Sequence, residues 1–308
     1  MLRGFKPERG QVFVLTAIGL TAICGMAGFS IDVASWYQAH RKQQAIADAS
    51  AIAAADDLPG STATATADAQ TYATKNGGSL SVSGITYSTK YSPNDTVTVT
   101  TSATAPSYFL KALGIGSAAV GATATARAVP LGSAYGAAPF AVYYTQPELT
   151  GQGCGTPGTP CWGSSTTLDF GKVGPGGFEI INVDGSSGGT SPATLSAWIQ
   201  NGCDCTTTTP VWLWGDPGAK FNSGNVGTAL AARVGTILLF PVYDQNVANG
   251  SNMQYHILAF VGFKITGYQF NGANNGKITG SFEHTSWQGT GGSSSPGPYS
   301  ATTVQLTG

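Results

Sequence analysis

Charge is what this sequence has least of. Only 9% of its 308 residues are Asp, Glu, Lys or Arg, against about 25% in an average soluble protein. The 14 basic and 15 acidic side chains cancel to a net charge of −1. So few cations cannot build the basic face that neutralises a phosphate backbone, so no nucleic-acid partner is expected. Neither sign is in excess, which excludes a charged disordered tail. Histidine is scarce and scattered, as His40, His256 and His284. No cluster with metal-ligand spacing follows, and no metal or other cofactor is expected. What the chain does have is 43 glycines and 42% hydrophobic residues. The second figure is enough for a real core. Solubility rests on hydroxyls and amides, a habit associated with exported proteins.

The scarcity of charge is most extreme near the start. None occurs between Arg9 and Asp32, and residues 12–31 form an apolar run of 20. As a helix this run spans about 30 Å, the thickness of a bilayer hydrocarbon core. Arg3, Lys6 and Arg9 precede it, and Asp32 follows. That asymmetry predicts a single pass with the N-terminus in the cytoplasm and the remainder outside. A cleaved signal peptide would have a shorter apolar region with small residues close behind. Here Asp32, Trp36, Tyr37 and His40 stand in that place. From Val33 to Asp57 there is neither Pro nor Gly, and Ala, Gln and Lys predominate. These are good helix formers, so the helix is expected to continue beyond the membrane to Leu58-Pro59-Gly60. Its full length is then about 70 Å.

Three stretches carry a family resemblance. They are Glu8-Arg9-Gly10-Gln11, then 28–37 (Gly-Phe-Ser-Ile-Asp-Val-Ala-Ser-Trp-Tyr), then 43–53 (Gln-Gln-Ala-Ile-Ala-Asp-Ala-Ser-Ala-Ile-Ala). In this order they resemble the N-terminal domain of the TadE/TadG-like proteins of the tight-adherence (Flp pilus) assembly system. The resemblance covers roughly residues 8–57. It implies a membrane-anchored, pilin-like, non-catalytic assembly component whose C-terminal region is exported. The implied partners are membrane lipid and other Tad components. The implied location is the cytoplasmic (inner) membrane. Processed pilin-like members carry Glu at the fifth position after their cleavage glycine; after Gly10 that position holds Leu15.

Two parts of the helix read as docking surface. In the lipid half, Ala17, Thr21 and Gly25 have the small-xxx-small spacing that lets helices approach closely. In the outer half, Trp36, Tyr37 and a seam through Ala45, Ala49 and Ala53 offer a face to another helix.

The remainder predicts an α+β fold. Residues 1–58 form the anchor and pilin-like helix. Residues 59–130 form a small α+β layer: a helix over 61–75, a hairpin over 79–89 and 96–104, a short helical stretch at 106–113, and a strand over 115–129. Leu80, Val82, Ile85 and Tyr87 are its expected inward residues. Residues 131–308 form a mostly β exported domain. Its strands are expected at 139–144, 178–183, 236–243, 254–260, 262–270 and 277–282, with helical insertions at 192–200 and 226–233. Its expected core includes Phe140, Phe178, Trp198, Trp212, Trp214, Phe240, Phe260 and Phe263. Cys154, Cys161, Cys203 and Cys205 are expected as two disulfides. A bond between Cys203 and Cys205 closes a cramped ring, so cross-links between the 154/161 loop and the 203/205 loop are preferred.

Other motifs compete for function. Gly185-Ser186-Ser187-Gly188-Gly189 has the form of a nucleophile elbow. With Asp216 or Asp244 and His256 or His284 it could make an anchored surface hydrolase using Ser187. Pro192 lies where the elbow's helix should already run, and no strand–helix alternation supports the parallel sheet. Asp184-Gly185-Ser186-Ser187-Gly188 is also one hydroxyl short of a von Willebrand A-type metal site. Residues 272–279 have three residues between the glycines where a phosphate loop has four. The aromatic-rich β region could instead make an anchored adhesin or glycan-binding module. Asn94-Asp95-Thr96 and Asn249-Gly250-Ser251 are formal glycosylation sequons that also read as turns.

Overall fold

The computed structural model describes residues 9–216, 224–247, 252–270, 276–292 and 297–307. The phosphate-loop-like residues 272–275 and the sequon at Asn249 lie outside these.

Helix α1 runs unbroken over Arg9–Asp56. It stops at the Leu58-Pro59-Gly60 breaker as the sequence requires. Helix α2 spans Thr62–Lys75, and the hydroxyl of Ser61 caps it by accepting the N–H of Thr64 at 3.2 Å. Strands β1 (Ile85–Ser88) and β2 (Thr96–Pro106) form the expected antiparallel hairpin. Its first strand begins later than the alternation suggests. Residues 82–84 form a 3₁₀ turn that leaves Val82 63% exposed, while Leu80 and Ile85 are buried. Strand β3 covers Ser117–Tyr135, and its residues 117–127 pair with the whole of β2.

β3 continues straight through the boundary expected at 130/131. Its far end pairs with β7 (Thr206–Thr208), β12 (Gly289–Gly291) and β13 (Thr302–Leu306). The C-terminal strand therefore returns to the first sheet.

The second sheet comprises β4 (Phe140–Tyr143), β5 (Ser165–Phe170), β6 (Gly177–Ile180), β8 (Val211–Trp214), β9 (Ile237–Val247), β10 (Gln254–Phe270) and β11 (Gly276–Glu283). Because β11 pairs with both β5 and β10, six of these strands close into a ring, with β8 alongside β10. The two strands expected around residue 261 are one. Gly262 does not break β10; a Cβ there would lie 2.8 Å from the carbonyl oxygen of Glu283 on β11, so glycine permits a close approach. Helices α3 (Pro147–Thr150), α4 (Pro192–Asn201) and α5 (Gly224–Arg233) complete the chain.

Phe140, Phe178, Phe240, Phe263 and Phe282 pack with Leu195 of α4 and Leu230 of α5 in one core. Their rings meet at 4.9–5.5 Å between centroids, mostly edge-on or tilted. A second core, on Tyr243, Tyr255 and Phe260, joins this sheet to β3 through Leu131 and Ala134. Trp198 belongs to that core, but Trp212 is 40% exposed and Trp214 half-buried. Both tryptophans sit on β8, which lies beside the ring, so only part of their surface is covered.

Candidate functional site

The apolar run stays bare. Over residues 12–31 nearly every described side chain is exposed, and this stretch is apolar enough to cross a membrane, with a mean hydropathy of 2.1. One N-terminal apolar helix suggests a single-pass anchor. Thr21 bonds back to the Ala17 carbonyl at 2.8 Å and a Cβ on Gly25 would meet no side chain within 4 Å, so the expected close-packing positions are open.

Beyond Ile31 the helix acquires two faces. Asp32 is fully buried, and its carboxylate accepts backbone N–H groups from Tyr108, Phe109 and Leu110 at 2.6–3.2 Å. His40 Nδ1 lies 2.8 Å from the Gly121 carbonyl oxygen, and Thr101 donates to the Gln43 carbonyl at 3.2 Å. Farther along, Ile46, Ala47, Ala51, Ala54 and Ala55 pack on Ala65, Ala69 and Ala73 of α2 and on Val97, Val99 and Ala124 of the sheet. Small side chains on both surfaces let the helix lie close against its layer. The chain thus covers one alanine-lined face of the helix itself.

The docking stripe read from the sequence lies on the other face. Ala45 and Tyr37 are exposed, and Ala49, Ala53 and Trp36 are half-buried. Ala49, Ile52 and Ala53 line an open groove of about 400 Å³ with Asp56, Asp68 and Tyr72. The contributions of α2 are invisible to a local reading, because Asp68 and Tyr72 reach the groove only through tertiary packing. Burial, and then the like charges of Asp68 and Asp56, push the Asp57 carboxyl above its ordinary range. Asp56 accepts the Ser286 hydroxyl. The helix end is therefore tied to the C-terminal part of the chain.

The competing sites do not assemble. Asp244 and His256 do pair, with Oδ1 to Nδ1 at 2.6 Å, and the His256 ring lies tilted against Trp212 at 5.0 Å between centroids. Ser187 is exposed and makes no side-chain hydrogen bond among the described residues. Its loop closes on itself instead: Asn182 donates to the carbonyls of Ser186 and Gly188, and Asp184 holds the Ser186 hydroxyl at 2.7 Å. Asp216 serves the Thr190 amide at 3.1 Å, ahead of α4. Burial pushes the His284 imidazole below its ordinary range, where it packs edge-on to Trp162. Five of the aromatics that might have lined a glycan groove, Phe140, Phe178, Phe240, Phe260 and Phe263, are fully buried. Among the described residues no group of His, Cys, Asp and Glu could hold a metal. Asn94 sits in a turn at φ 59°, beside Asp95, whose carboxylate accepts the amides of Lys90 and Ser92.

Cys154, Cys161, Cys203 and Cys205 are paired, but within their loops. Cys154 bonds Cys161 and Cys203 bonds Cys205, so the preferred inter-loop cross-links are not formed. The second core holds the 203–205 segment against β3 and the Val183 region. Cys24 is free in the apolar helix.

Residues 10–57 match the Tad family model, Flp pilus-assembly TadE/G-like. No curated protein and no solved structure matches the chain. The match covers α1 from its second residue to its end and associates the chain with Flp pilus assembly.

Proposed function

We propose that this chain is a non-catalytic, pilin-like structural component of Flp pilus assembly. It crosses the inner membrane once, with its N-terminus inside. Its long helix serves as both anchor and docking surface for other Tad components. One observation carries the reading. The helix face made by Ile46, Ala47, Ala51 and Ala54 is sealed by the chain's own layer, while the Ala45–Ala49–Ala53 stripe is left open beside a groove. A stripe of small residues flanked by exposed Ile52 and Tyr72 has the shape to receive a helix.

Charged substitutions at the open positions test it. Tyr37→Glu, Ala49→Lys and Ala53→Glu together should leave the melting temperature and membrane level of the chain unchanged. Pilus formation and co-purification with Tad components should be lost. Normal assembly by this variant would show that the stripe is not the docking surface.

A further inference from the structure

The β2–β3 hairpin ends in a tip, residues 107–116, whose position relative to α1 is fixed by contact. The tip closes at its base, where the Ser107 amide donates to the Gly116 carbonyl at 3.0 Å. Inside it, a 3₁₀ turn over Leu110–Leu113 ends at Gly114, which adopts φ +87°. The tip is apolar outward. Leu113 is 77% exposed, Tyr108 63%, Phe109 52% and Ile115 47%. Lys111 is its one charge. Contiguous exposed apolar surface of this kind marks a contact with something other than water.

Where that surface sits identifies the contact. Asp32, the first charged residue after the apolar run, grips the amides of residues 108–110. The Phe109 side chain lies against Gly28; a Cβ on Gly28 would fall 2.7 Å from the ring. Gly28 precedes Ile31 by three residues, so Phe109 is held about 5 Å inside the end of the apolar run. Tyr and Phe beside a lysine suit the boundary between headgroups and acyl chains, where the ammonium can reach outward to the water.

We propose that this hairpin tip is a second membrane contact. It would insert Tyr108, Phe109, Leu113 and Ile115 into the leaflet from which α1 emerges. The inference rests on the single-span reading of residues 12–31. Helix and tip together would fix the tilt and rotation of the outer part on the membrane, and so the direction in which the docking stripe faces.

The test uses the full chain in vesicles of phosphatidylethanolamine and phosphatidylglycerol. In a Cys24→Ala background, Leu113→Cys, Ile18→Cys and Asn94→Cys each carry an environment-sensitive fluorophore. Lipids bearing a spin label near the headgroup, and iodide in the water, serve as quenchers. The Leu113 probe should shift to the blue, lose most of its emission to the lipid spin label and resist iodide. The Asn94 probe, on the turn between β1 and β2, should do the reverse. A Leu113 probe quenched by iodide, with the Ile18 probe still shielded, overturns the tip contact and leaves the span standing. An Ile18 probe open to iodide overturns both. A Leu113 probe that becomes shielded only when Tad proteins are added overturns the lipid contact in favour of a protein one.

Discussion

The carboxylate of Asp32 accepts the backbone N–H of Leu110 at 2.6 Å across 78 positions of sequence. One side chain thus ties the end of the apolar run to the tip of the β hairpin. Hydrogen bonds to a charged acceptor contribute about 1.5–3 kcal/mol each. Asp32→Ala would leave the three amides of residues 108–110 without their acceptor. Their hydrogen exchange should accelerate on the order of 100-fold, about 3 kcal/mol of lost local stability. Exchange at Ala124, in the centre of β3, should stay as it was. Equal protection of the hairpin tip in both proteins would show that Asp32 does not hold it.

Glu179, on β6, gives the fold a pH dependence. Burial pushes its carboxyl up to about 7, although a hydrogen bond with Tyr255 acts the other way. The ordinary value of 4.5 applies to the unfolded chain. Between those two values the folded chain keeps a proton that the unfolded chain releases. Stability therefore falls as pH rises through this window, and the whole penalty is present above it. Glu179→Gln should remove the slope and raise stability at alkaline pH by about 3 kcal/mol. Denaturant unfolding at acid and alkaline pH measures both effects. Parallel profiles for the two proteins would place the titration elsewhere.

The two local disulfides give a distinct peptide map. Cleavage at Arg127, Lys172 and Lys220 leaves Cys154 with Cys161 in one peptide and Cys203 with Cys205 in the next. Unreduced, each peptide should run alone and lack two hydrogens. Covalently joined peptides would reveal inter-loop bonds. Bonds that span only 7 and 2 residues close short loops, so reduction should cost stability at the low end of about 2–4 kcal/mol.

What could be read from the sequence follows the range of the interactions involved. The helix end at Leu58-Pro59-Gly60, the Ser61 cap and α4 behind Ser191-Pro192 are set by neighbouring residues, and the sequence displays them. The stripe through Ala45, Ala49 and Ala53 was visible as a period. Which alanines the chain would cover itself was not, because Ala47 and Ala51 are buried by α2 and a sheet distant in sequence. Asp32 looked like the end of a membrane run. Its backbone partners at 108–110 carry no side-chain signature, so nothing local announces them. Tyr243, Tyr255 and Phe282 join the cores because the ring of strands closes, and closure is a long-range fact.

The same long-range pairing bears on where the chain can be divided. A boundary at 130/131 would let the residues before it fold alone. In the structure the Leu131 amide donates to the Ala301 carbonyl at 3.0 Å, and β13 pairs residue for residue with 126–130 of β3. Val304 of β13 packs on the core that α1 and α2 share with the sheet. The Trp287 indole donates to the Tyr135 carbonyl at 2.9 Å, and Ser286 reaches Asp56 at the end of α1. A chain ending at residue 131 would expose this edge of β3 and the apolar side chains beneath it, and unpaired edges invite aggregation. Deleting residues 302–308 should therefore unfold the N-terminal layer at lower denaturant. The fragment ending at 131 should be digested by protease in detergent under conditions where the full chain resists. A fragment with the full chain's unfolding midpoint for α2 and the β1–β2 hairpin would show that β13 is an accessory strand and that the two regions fold independently.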